Sequence, residues 1–226
     1  MKMKMKKVFL VAIAITSQVT FAQITKKLGD FNSVKVFDKL KVTLIASNEN
    51  KVIISGDKEK EVEVVNNNGE LKLRMQLKQM LSGDAVSIKL YYKNIDEISA
   101  TEGSSVSGDA VFKQTIFDLS VKEGAKINVK LDAQKVNVKA VTGGVIELSG
   151  AAANQDVVIM SGGILKARNL HTSQTTVNLS AGGNAEINAS TLVDVKVKAG
   201  GTVSIYGKPK QINQQTILGG KIEEKE

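Results

Sequence analysis

Val138-Lys139-Ala140-Val141-Thr142-Gly143-Gly144-Val145-Ile146-Glu147-Leu148 is the stretch from which the fold can be read. Apolar residues stand five and three places before Gly143 and three and five places after it, at Val138, Ala140, Ile146 and Leu148. The same offsets give Val177, Leu179, Ala185 and Ile187 around Gly182, and Val195, Val197, Val203 and Ile205 around Gly200. Working outward, the anchors are Gly103, Gly124, Gly143, Gly162, Gly182, Gly200 and Gly219, separated by 21, 19, 19, 20, 18 and 19 residues. From Gly143 onward each anchor opens a Gly-Gly pair. A fixed period of this length is the mark of a repeat architecture, and alternation with period two on both sides of the glycine is the mark of a strand. Each unit therefore reads as strand, tight Gly corner, strand.

A unit of this size with no helical period and no leucine ladder cannot be a helical or leucine-rich repeat. A stack of hairpins would bury only one face. In a parallel β-solenoid each coil lies about 4.8 Å from the last, every strand pairs with its neighbours, and equivalent apolar residues stack inside. That arrangement accounts for all four offsets together, and the corner glycine follows from a conformation with φ > 0 that a Cβ would penalise. The crossover rule predicts a right-handed coil. The expected fold is thus all-β, a right-handed parallel β-helix (solenoid) with Gly-Gly corners over residues 95–226, whose charged tail, Lys221 to Glu226, would blunt the last edge.

The chain opens with Lys2, Lys4, Lys6 and Lys7, an apolar run from Val8 to Ile15, and small residues around Thr20-Phe21-Ala22. These are the three parts of a secretory signal peptide, predicted over residues 1–22 with cleavage after Ala22. The apolar run is far shorter than the roughly 20 residues that span a bilayer, and no other stretch is long enough, so no membrane insertion is expected. The leader supplies four of the eight net positive charges. The remaining +4 gives no reason to expect nucleic acid as a partner. There is no cysteine, so neither a disulfide nor a lipidated cysteine is available.

From Phe31 to Lys93 the alternation continues without the glycine period: Val34 and Val36, then Leu40, Val42 and Leu44, then Val52 and Ile54. Val62 and Val64 face Leu71, Leu73 and Met75 across Asn66-Asn67-Asn68-Gly69, a hairpin signal. Gln76 to Ala85 breaks the pattern and reads as a loop or short helix, after which Val86, Ile88 and Leu90 resume it. Residues 23–94 are therefore expected to form an irregular β-rich layer that caps the open end of the solenoid, where bare edges would invite aggregation.

Ile95-Asp96-Glu97-Ile98-Ser99-Ala100, then Glu102-Gly103-Ser104-Ser105-Val106 and the Gly-Gly repeats, resemble the head GIN domain family of secreted Bacteroidetes proteins, described as auto-transporter adhesins. The resemblance runs from about Phe31 to Tyr206 and includes Val52-Ile53-Ile54-Ser55-Gly56-Asp57. It implies a parallel β-helix similar to pectin-lyase folds, glycines at tight turns and no catalytic residues. Neither a C-terminal membrane-barrel segment nor a C-terminal sorting domain is read in this sequence, so self-anchoring at the surface is not expected.

Side chains able to do chemistry are few. A polysaccharide-cleaving β-helix needs carboxylates gathered on one face, whereas Asn128, Glu147, Lys166, Glu186 and Ser204 form a mixed ladder in which Lys166 separates two glutamates. His171, the single histidine, is placed in a loop between strands and has no second His or Cys with which to hold a metal. Calcium-binding rolls place Asp after their glycines, where this chain has Val145, Ile164 and Thr202. No catalytic residue, cofactor or metal site is expected, and the chain is read as not an enzyme. Tyr91 and Tyr92 are the candidate ligand contacts, with packing at the junction as the alternative.

One outward cluster stands apart. Val141, Val145, Val158, Met160 and Ile164 occupy outward offsets on two neighbouring coils, where the flanking coils carry Lys122, Lys126, Ser180, Asn184, Lys198 and Thr202. Exposed apolar clusters mark interfaces; the alternatives are β-propensity and cover by the first half of the chain. The function expected is a non-enzymatic exported interaction or adhesion module at the bacterial cell envelope, periplasmic or at the surface. Its partner would be an envelope protein, a glycan or a second copy of itself. The rivals are a polysaccharide-active β-helix enzyme and a structural envelope protein.

Overall fold

The computed structural model describes residues 23–226, so the leader expected over residues 1–22 lies outside the described residues. In chain order the strands are β1 (Gln23–Lys27), β2 (Ser33–Val36), β3 (Lys41–Ala46), β4 (Lys51–Gly56), β5 (Val62–Asn67), β6 (Glu70–Met75), β7 (Val86–Tyr92) and β8 (Glu97–Ala100). Five long strands follow: β9 (Ser105–Val121), β10 (Lys126–Val141), β11 (Val145–Met160), β12 (Ile164–Ser180) and β13 (Asn184–Lys198). β14 (Thr202–Tyr206), β15 (Gln211–Ile217) and β16 (Lys221–Glu224) end the chain. Among the described residues there is no α-helix, only three single turns of 3-10 helix. The strands stack as parallel coils into a β-solenoid of about seven turns.

The corners at Gly103, Gly124, Gly143 and Gly162 are built the same way. Thr142 and Gly143 both have positive φ, 50° and 70°, and the Gly144 N–H donates to the Val141 carbonyl at 3.0 Å. Two successive left-handed residues closed by such a bond make a type I′ turn. The corners also bond to one another, Gly124 N–H to the Thr142 carbonyl at 3.1 Å and Gly143 N–H to the Ser161 carbonyl at 3.3 Å. Main-chain pairing therefore continues round the bend, and the backbone groups stay satisfied.

The two arms expected as separate short strands are joined. The arm leaving one corner and the arm entering the next form a single strand of 15 to 17 residues. Halfway along β10 the alternation changes phase, from buried Ala133 to buried Val136, and the pairing of β10 with β11 skips Gln134. The second bend of the coil is thus a change of face within a continuous strand and needs no glycine turn. Val138, Val157, Val177 and Val195 pair in register across four strands and are all buried. At the second bend of the first coils Tyr92, Phe112 and Phe117 fill the interior, with ring centroids 5.2 Å and 4.9 Å apart.

Parallel stacking reaches into the first half of the chain. β2 pairs with β6 and β8, and β3 with β7 and β9, all parallel. The coil made by β6 and β7 lies outside the coil made by β2 and β3 although it follows it in sequence. The antiparallel pairs are β1 with β4, β4 with β7 and β5 with β6. The β5–β6 hairpin turns at Asn68-Gly69 as its sequence predicts, with φ of 50° and 83°. Asp38 and Lys39, with φ of 58° and 62°, make the same corner without glycine, and Lys39 N–H donates to the Glu102 carbonyl at 2.9 Å so that this corner joins the stack.

Candidate functional site

The structure places the five residues of the outward cluster on adjacent strands either side of the Gly143 and Gly162 corners. Val141 pairs with Met160, Lys139 with Val158, and Val145 with Ile164. Each is flanked by buried neighbours such as Ala140, Ile146, Ile159 and Leu165, so all five point away from the core. Val158 is 37% exposed and the other four are half-buried.

The corner divides the cluster. Val141, Val158 and Met160 precede the turn and belong to the sheet that ends in β15, while Val145 and Ile164 follow it and belong to the sheet that ends in β16. The cluster therefore wraps a ridge. On one flank a depression of about 280 Å³ includes Val158, Lys139, Asp118 and Asp156. On the other a depression of about 370 Å³ includes Val145, Ile164, Glu147 and Lys166. Apolar centres ringed by both signs of charge suit a protein or glycan surface better than a buried small molecule.

Tyr92 is 5% exposed and stacked on Phe112, and burial raises its phenol pKa. Tyr91 lies beneath the Lys51 ammonium, 4.5 Å from the ring centroid. The two neighbours in sequence thus face opposite sides of one strand. His171 is exposed within β12 rather than in a loop, paired with Ala151 and Asn188. The loop expectation missed it because the second bend is made inside the strand. Glu147 and Glu186 flank Lys166 in register. Among the described residues no three His, Cys, Asp or Glu side chains come together in a way that could hold a metal.

A cleft of about 450 Å³ lies where the loop after β6 meets the Asp38 corner and includes Phe37, Met75, Leu77, Met80 and Glu102. Asp38 is 3% exposed, and its carboxylate accepts the N–H groups of Met75 and Leu81, both at 3.0 Å. This fixes a loop that exposes Leu77 at 83% and Met80 at 52%. Glu102 stands beside Asp38, and burial, then the Asp38 charge, raise its carboxyl pKa. Sequence reading missed this cleft because Gln76 to Ala85 has no period. The only local signal was an interruption in alternation carrying three large apolar residues, Leu77, Met80 and Leu81.

A β-solenoid of parallel coils that turn at glycine corners defines a class of β-solenoid repeat proteins. Residues 30–209 match the family described as "Putative auto-transporter adhesin, head GIN domain", and the chain belongs to that family. Among solved structures, one titled as a putative adhesin from Bacteroides fragilis is 18% identical, with 92% of this chain and 98% of that chain covered and a TM-score of 0.82. Another putative adhesin, from Parabacteroides merdae, is 16% identical over 92% and 97% of the two chains, with a TM-score of 0.69. A structure from Parabacteroides distasonis titled as a putative lipid binding protein is 14% identical over 91% and 96%, with a TM-score of 0.66. At these identities the likeness is one of fold. No curated protein matches the chain.

Proposed function

We propose that this protein is a non-enzymatic, exported interaction module of the bacterial cell envelope, divided into the leader 1–22, a cap over 23–94 and the repeats of 95–226. The observation that carries this reading is the ridge of Val141, Val145, Val158, Met160 and Ile164. It interrupts an outer surface that is polar or charged at the equivalent places of neighbouring coils, including Lys122, Lys126, Lys198 and Thr202. The family's description as an adhesin supports a surface whose role is contact. The partner is an envelope protein or glycan, or a second copy of the chain, with the apolar ridge at the centre of contact and the ion-bearing flanks at its rim. The protein acts without cofactor and without inserting in the membrane.

The test uses Met160→Asp with Ile164→Asp. Two outward charges leave the core untouched but oppose burial against a partner. The double variant is expected to fold and to lose association, read by size exclusion with light scattering for self-association and by binding to isolated envelope fractions for a foreign partner. Unchanged association and binding would overturn the assignment of this ridge. A wild-type monomer would exclude a second copy as the partner. Protease shaving of intact cells separates surface from periplasm.

A further inference from the structure

The solenoid has two ends, and the same two sheets close both. β1 pairs only with β4 and β5 only with β6 at one end; at the other, β15 pairs only with β13 and β16 only with β14. Each of these four strands presents one edge without a strand partner among the described residues, and a free edge is a template for another chain. The core is also incompletely covered there. Ile24, Leu28 and Val64 at the first end, and Ile212 and Ile222 at the second, are only partly buried against it.

Beside these apolar residues, one inner-face residue of β1 and one of β16 are charged, with opposite signs. Lys26 pairs with Val52, a core residue, and so stands on the inner face of β1. Glu224 pairs with Ile205, also core, and stands on the inner face of β16. Both are exposed, and neither makes an ion pair among the described residues, whereas outward-facing Glu223 is held by Lys221 at 2.6 Å and Lys225 at 3.0 Å. Inward charges on terminal strands discourage edge pairing, but these two do so selectively. Two first ends would set Lys26 against Lys26, and two second ends Glu224 against Glu224. Only first end against second brings opposite charges together.

Strand direction allows that contact. β1 is antiparallel to β4 and β4 to β7, while β7 and every later strand of that sheet are parallel, so β1 and β16 run the same way. Their inner-face residues have the same spacing, Ile24 and Lys26 on one strand and Ile222 and Glu224 on the other. In the second sheet β5 runs antiparallel to the strands that end in β15, an ordinary antiparallel edge pairing. We propose that copies of this chain stack head to tail, the β15 and β16 end of one on the β1 and β5 end of the next, with Ile222 against Ile24 and Glu224 against Lys26. Such a contact is heterologous, so repetition extends it into a filament rather than closing a dimer.

The proposal is independent of the ridge but rests on the export reading in one respect, since β1 would begin the chain once the leader is removed. Protein purified from the exported fraction, with its start at Gln23 read by intact mass, is compared over rising concentration by light scattering and negative-stain microscopy. Wild type is expected to form linear oligomers that shorten as salt is raised. Lys26→Glu alone and Glu224→Lys alone should each give single copies, and the double exchange should restore oligomers at least in part. Both positions are exposed, and circular dichroism checks the fold; Lys26→Gln and Glu224→Gln serve where a reversal does not fold. Wild type that stays a single copy at every concentration, or a double exchange no better than either reversal, overturns the stacking. A retained leader would count against the export reading instead, and the exchange series is read on that sample all the same.

Discussion

At the residue scale, the paired glycines of the Gly143 corner serve different ends. A Cβ on Gly143 would meet nothing within 4 Å, but its φ of 70° lies in the left-handed region. Gly144 has ordinary φ, yet a Cβ there would lie 2.7 Å from Val121 Cγ2 and 3.0 Å from its carbonyl carbon. Gly143→Ala is therefore expected to cost about 1 kcal/mol through conformation, and Gly143→Asn less, because Asn tolerates that region. Gly144→Ala meets close packing and should cost about 1 to 3 kcal/mol. Chemical denaturation of the three variants checks the order. The sequence marked the pair as a corner but could not assign the two reasons, since the second depends on Val121 one coil away. It gave no sign of the Asp38-Lys39 corner, where the left-handed pair is formed without glycine and held by bonds from distant Met75 and Leu81.

At the element scale, the inner ladders were legible because every coil repeats them at fixed offsets from a glycine. Val177, 0% exposed between Val157 and Val195, has only apolar neighbours along its ladder, so Val177→Asp should destabilise by about 3 kcal/mol or more. Lys139→Asp on the outer face should stay within about 0.5 kcal/mol. A Val177→Asp variant that melts with wild type would mean the register is wrong. The second bend was not legible, because a change of phase within a strand leaves no turn residue to mark it. The stack of corners also has a pH signature. Burial and the Asp38 charge raise the Glu102 pKa in the fold, so the folded state holds this proton more tightly than the unfolded one, and stability falls as pH rises from the ordinary carboxylate value through the raised one. Glu102→Gln keeps an acceptor for the Asp38 N–H, which lies 3.3 Å from Glu102 Oε2. It should therefore raise the melting temperature at neutral pH and lose that advantage below about pH 4. An advantage that persists in acid would exclude charge as its cause.

At the scale of the whole molecule, the glycine period separates the chain at residue 95, yet strand pairing runs unbroken across that position. Val34 pairs with Ile98 and Val42 with Val106, in the same parallel sense as every later coil. The glycine period fades there because the Asp38 corner uses other residues and the next coil closes through the long loop Gln76 to Ala85, not because the stacking stops. Residues 23–94 therefore contribute coils to the same stack, and the consequence is testable by division. A fragment of residues 95–226 would uncover the inner faces of Ile98, Ala100 and Val106, all now buried, together with the strand edges that β2 and β3 pair. Unlike the outer ends, where Lys26 and Glu224 stand on the inner faces, this cut face is apolar throughout those positions, and a hydrophobic edge of that kind promotes aggregation. The fragment is expected to aggregate, while addition of the separately expressed 23–94 piece during refolding should recover some soluble material. A soluble, monomeric 95–226 fragment with the strand signal and cooperative melting of the parent would show instead that the repeats close their own end and that the first half is only a cover.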